Sequence, residues 1–148
     1  MPSAVPIDLV SFRTSFSASD ILTASEIATL KLNANWVILS ACNTAGASGK
    51  NPRGESAEAL SGLARAFFYA GARALLISHW EVDSEAAVKL TTHALALLAQ
   101  ATAVSKPMGR AEALRISMRE LIQRGSPAEA HPSYWAPFVV VGEGAPQK

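Results

Sequence analysis

Cys42 is the only cysteine in the chain, and it closes the apolar run Trp36–Leu39 within the stretch WVILSACNTAGASGKNPRGE. A thiol attacks as its thiolate, and a free cysteine with a pKa of ~8.5 is mostly protonated at neutral pH. Chemistry at Cys42 therefore needs a neighbour that takes the proton or lowers that pKa. If that chemistry is acyl transfer, a donor pair must also hold the tetrahedral oxyanion, each donor typically worth ~3 kcal/mol. The Cys42 amide supplies one. His79 ends the next apolar run, ALLIS. If the two runs are adjacent parallel strands, their carboxyl ends open into one crevice, where such sheets do their chemistry. His79 is then a candidate base, and otherwise a hydrogen-bonded strand-end residue. Cys42 has its own ordinary reading, a small buried hydrophobe.

Two acids border the same crevice. Asp83 reads as a helix cap worth ~1 kcal/mol, and its place beside the cleft also makes it a substrate-binding candidate. Glu55 is a first-turn residue favoured by the helix dipole, with the same second role. His93 reads as an exposed helical residue. His131 precedes Pro132 in a turn and reads as structural, as do Tyr134 and Trp135. The loop Gly46–Gly54 lacks the Gly-Lys-Ser/Thr ending of a phosphate cradle. One cysteine and three histidines without zinc spacing predict neither metal nor cofactor.

These residues need a scaffold. Trp36–Leu39, Ala72–Ser78 and Phe138–Val141 read as buried strands, with Ile7–Phe12 as a weaker fourth. From Ser19 or Thr23 a short helix is expected, leading to the first strand, since Thr23 with Glu26 three residues on is a capping-box pattern. Ser56 is placed to cap a helix burying Leu60, Leu63, Ala64, Phe67 and Phe68, which Gly71 ends. Asp83 or Ser84 caps a third helix with Val88, Thr91, Leu95 and Leu98 inward. A fourth puts Ala111, Leu114, Met118, Leu121 and Ile122 inward, leaves Arg110 and Arg119 for water, and ends at Gly125. Strand, helix, strand, helix, helix, strand predicts an α/β fold, a three-layer sandwich around a mostly parallel sheet.

Length suits one domain, residues 1–148. A net charge of +1 gives no basic footprint for nucleic acid. No window approaches the ~18 apolar residues of a membrane span. With no disulfide framework, the expected compartment is cytoplasmic.

Laid in order, VILSACNT, RGESAEALSGLARAFFYAGARALLISHWEVDSE and HPSYWAPFVVVG resemble the carboxy-terminal part of the CHAT family, over about residues 22–142. The family comprises caspase-like cysteine peptidase domains usually found behind tetratricopeptide repeats. The resemblance implies peptide-bond hydrolysis by a Cys-His dyad, with Cys42 matching the nucleophile. Gly54 and Glu55 match the family's helix-opening Gly-Glu, and Trp80, Val82 and Asp83 its Trp-x-Val-Asp segment. Asn43 stands where Glu is more usual, and His79 where an apolar residue is. The resemblance also implies a base histidine followed by glycine before the cysteine strand, and residues 1–35 contain no histidine. The chain thus reads as a partial domain lacking amino-terminal strands, its base lost, supplied by another segment, or replaced by His79. The implied partners are a peptide or protein substrate and an upstream tetratricopeptide region or a second copy. The alternative is a non-catalytic interaction module docking through a sheet edge or an apolar face.

Overall fold

The structure is a computed structural model that describes residues 23–39, 55–80 and 82–146, with the backbone alone for 55–60. The expected strand Ile7–Phe12, Cys42 and the loop Gly46–Gly54 lie outside the described residues.

Helix α1, Ala24–Thr29, begins at the expected capping box: the Thr23 hydroxyl accepts from the Glu26 amide, and the Glu26 carboxylate accepts from the Thr23 amide. Helix α2, Glu55–Tyr69, starts one residue before Ser56, so that serine lies inside the helix. It ends where Gly71 takes φ +94°, a left-handed conformation that glycine adopts freely. Phe67 and Ala66 are buried, whereas Phe68 turns partly outward.

The three strands are β1, Val37–Leu39, β2, Ala74–Ser78, and β3, Phe138–Gly142, in the order β1-β2-β3. β1 runs parallel to β2, with Leu39 opposite Ile77, and β3 runs antiparallel to β2, with Phe138 opposite Ser78. Among the described residues the sheet is therefore mixed, with one parallel and one antiparallel pair, where a mostly parallel sheet was expected. The cause is the connection: α2 is a single crossover, which preserves direction, whereas two helices separate β2 from β3. These are α3, Ser84–Ala103, and α4, Arg110–Arg124. They lie antiparallel, with Ser117 of α4 against Leu90 of α3 and Glu129 beyond α4 reaching back to Lys89. An out-and-back pair returns the chain to the end where β2 stops, so β3 must run the other way.

All five residues of β2 are buried, as a continuous apolar run flanked on both sides should be. On one face Leu75 and Ile77 join Val37, Phe67, Ala72 and Ile27 of α1. On the other, Leu76 joins Ala86 and Leu90 of α3, Leu114 and Leu121 of α4, and Phe138. Both faces of the sheet thus carry helices.

The inward faces of α3 and α4 are rotated from the expected ones. α3 buries Ala86, Leu90, Ala94 and Ala101, while Val88 is 59% exposed. α4 buries Ala113, Leu114, Ser117 and Leu121, and leaves Ile122 partly exposed. The buried face of α3 is mostly alanine, with Leu90 packed beside Leu114 and Leu121 of α4, so its small residues rather than its bulkiest row face inward. Ser117 is tolerated there because its hydroxyl donates to the Leu90 carbonyl at 2.7 Å. Arg110, expected in water, is buried, with Nη1 donating to the Glu143 carbonyl at 2.9 Å. Desolvation pushes its pKa down from the ordinary arginine value.

Candidate active site

Because β1 and β2 are parallel and in register, their carboxyl ends face the same way. β2 leaves the sheet at Ser78 and passes directly through His79 and Trp80 toward the start of α3. His79 is exposed, its amide donates to the Pro137 carbonyl at 3.0 Å, and among the described residues its ring takes no hydrogen bond. Trp80 is 45% exposed, and its indole Nε1–H donates to the Ser133 carbonyl at 3.3 Å. Asp83 is the N-cap of α3, its Oδ1 accepting from the Glu85 and Ala86 amides at 3.0 Å each. That satisfies two otherwise orphaned helix donors. Asp83 is exposed, so the carboxylate still borders solvent at this end of the sheet.

Residues 125–137 lie beside this strand end, joined to it by the His79–Pro137 and Trp80–Ser133 hydrogen bonds. Glu129 anchors them to α3: its Oε1 accepts from Lys89 Nζ at 2.6 Å, and Lys89 also pairs with Glu85 at 3.0 Å. The Ser126 amide donates to Glu129 Oε2 at 2.7 Å, while the Ser126 hydroxyl accepts from the Glu129 amide at 3.3 Å. Lys89 first, and then the Ser126 amide and hydroxyl, hold the Glu129 carboxyl down to about 2. A 3-10 turn, Pro132–Tyr134, follows, capped by His131. Trp135 Nε1 donates to the Ala130 carbonyl at 3.2 Å, and Tyr134 and Trp135 pack against the cluster around Leu76, as anticipated. The turn after His131 was expected, with Pro132 favoured at a first helical position; the tie from Trp80 to Ser133 was not legible in the sequence.

The structure thus brings His79, Trp80 and Asp83 to one end of the sheet. Cys42 lies outside the described residues, and Glu55 is described by its backbone, as the first residue of α2. Among the described residues no cluster of three His, Cys, Asp or Glu side chains stands ready to hold a metal ion. No helix among them is long and apolar enough to cross a membrane.

A parallel strand pair whose second strand leads through Trp80, Val82 and Asp83 into a capped helix is the arrangement that the sequence motifs imply. The chain belongs to the CHAT domain family, a caspase-like family, whose model matches residues 8–143. It is similar to tetratricopeptide repeat protein 28 of Mus musculus, 34% identical over 123 residues, and to that of Homo sapiens, 32% identical over 123 residues. Each alignment takes in 82% of this chain and 4% of the relative, so the chain spans a small fraction of the length of the curated proteins it matches. No solved structure matches it.

Proposed function

We propose that this chain is a caspase-like cysteine peptidase domain, part of a three-layer sandwich, in which Cys42 is the nucleophile and His79 the substitute base. The observation that carries the reading is the parallel register of β1 and β2. Leu39, three residues before Cys42, stands opposite Ile77, two residues before His79, so both residues follow strand ends that point the same way. An exposed imidazole with no hydrogen-bonded commitment among the described residues is available to take a proton, as a thiol of ordinary pKa requires. In this scheme the base removes the Cys42 proton, the thiolate attacks the peptide carbonyl and the Cys42 amide donates to the oxyanion; the C–N bond then breaks as His79 returns the proton to the leaving amine, and water hydrolyses the thioester to free Cys42. Asp83, and Glu55 at the start of α2, supply negative charge beside the substrate.

The test is the pH dependence of Cys42 alkylation by iodoacetamide, on the folded chain and on its His79→Ala variant. The expected result is a thiolate appearing well below the ~8.5 of free cysteine, shifted back toward it in the variant. Identical profiles remove His79 from the mechanism, and no reaction before unfolding removes Cys42.

A second reading, a non-catalytic interaction module, rests on a separate observation. The α3 row of Val88, Thr91, Leu95 and Leu98 is exposed or half-buried, and among the described residues β1 and β3 each have one neighbour strand. Thr91 donates its hydroxyl to its own helix, at the Ala87 carbonyl, so this row is apolar in effect and suits a protein partner. The tetratricopeptide-repeat relatives fit such a context, with an upstream repeat region or a second copy as the partner. Concentration-dependent self-association supports the second-copy form, and a chain monomeric across the micromolar range refutes it.

A further inference from the structure

His131 faces neither His79 nor Asp83 through any direct hydrogen bond, yet it governs the side chain between them. Its Nδ1 accepts from the Ser133 amide at 3.3 Å and lies 2.8 Å from the Ser133 hydroxyl. A backbone N–H can only donate, so Nδ1 is the acceptor and the neutral ring carries its proton on Nε2. This is an N-cap made by imidazole, in place of the usual Ser, Asp or Asn. It closes the turn in which the Tyr134 amide donates to the His131 carbonyl at 3.1 Å. The residue that it fixes at both amide and hydroxyl, Ser133, is the one whose carbonyl receives the Trp80 indole at 3.3 Å. Trp80 lies 53 positions away in sequence, so the bond joins the end of β2 to the turn that leads into β3. A half-exposed indole costs little to swing away unless its N–H is tied to a fixed acceptor.

We infer that His131 is a positioning residue: by capping the 132–134 turn it presents the Ser133 carbonyl to the Trp80 indole, which stands at the carboxyl end of β2 as an aromatic wall for the bound substrate. The substrate role of this wall rests on the peptidase reading; the positioning does not. Trp135 offers an internal control, because its indole is tied to Ala130, on the other side of the cap.

The experiment is a proton–nitrogen spectrum of the three tryptophan side chains in the full chain, with the Trp80 signal assigned from Trp80→Phe. In His131→Ala, the Trp80 indole signal should move toward that of free indole and its solvent exchange should quicken roughly fivefold, the population shift expected on losing one cap. The Trp135 signal should stay in place. His131→Asn, whose amide oxygen can accept from the Ser133 amide, should restore Trp80. The inference is overturned if Trp80 is unmoved in His131→Ala, if Trp80 and Trp135 shift together, or if the asparagine variant fails to restore the signal while remaining folded by circular dichroism. No thiol chemistry enters, so an inert Cys42 leaves the result intact, and a freely moving Trp80 leaves the Cys42 test standing.

Discussion

Leu90 and Val88 sit two residues apart on α3, are both apolar, and should differ sharply in what they contribute. Leu90 is 1% exposed and packs among Leu76, Leu114, Leu121 and Phe138. Truncation to alanine removes roughly three methylene equivalents at ~0.8 kcal/mol each, or ~2.4 kcal/mol. The surrounding strands and helices can relax only partly, so the residual cavity should add on the order of 1 kcal/mol. Val88 is 59% exposed, and Val88→Ala trades a little covered surface for the better helix propensity of alanine, leaving a change within about 0.5 kcal/mol. The assay is urea unfolding followed by circular dichroism. With an m-value of about 1.5 kcal/mol/M, Leu90→Ala should lower the midpoint by about 2 M and Val88→Ala by less than about 0.4 M. Equal losses in the two variants, or a larger loss in Val88→Ala, would refute the orientation of α3 and with it the account of which row the helix leaves uncovered.

Three other outcomes follow from the geometry. The Glu129 carboxyl is held down to about 2 from an ordinary 4.5, so its contribution is fully present above ~4.5 and is lost as pH falls toward 2. Melting temperatures of the wild type and Glu129→Gln should accordingly differ at pH 6 and converge near pH 2. Asp83→Ala should lose about 1 kcal/mol of stability in the urea assay through the two unmet amides at the start of α3, while Asp83→Asn should keep most of it. Gly142 has φ +96°, and an added Cβ would lie 2.6 Å from the Arg73 carbonyl oxygen. Gly142→Ala should therefore cost more than ~1 kcal/mol, visible as a lowered midpoint.

The positions of β1, β2 and β3, the Thr23 capping box, the Asp83 cap and the terminating glycines were all legible in the sequence, because each depends on local chemistry that a few consecutive residues determine. Orientation was less legible. α3 carries apolar residues around much of its circumference, and the bulky row was expected inward. The face buried is instead the one holding Ala86, Leu90, Ala94 and Ala101, a choice set by tertiary packing rather than by local pattern. The antiparallel direction of β3 was likewise a property of the two-helix connection rather than of FVVVG itself. At the candidate site, the motifs located Cys42, His79 and Asp83 along the chain, but nothing near Trp80 in sequence announces Ser133 as its acceptor. That bond is a consequence of where the chain returns, and local pattern carries no information about it.

The return of the chain also sets an order of events during synthesis. Ala74–Ser78 is the central strand, yet the segment that covers its second edge lies about sixty positions further along. Until that segment leaves the ribosome, a nascent chain holds ALLIS with one side unpaired, an apolar, β-prone edge of the kind that invites pairing with a neighbour. The long closure also makes the β2–β3 pairing a slow, non-local step. The same arrangement that pairs β2 on both sides in the folded protein thus leaves the growing chain dependent on β3, with chaperone demand concentrated in the interval between the two.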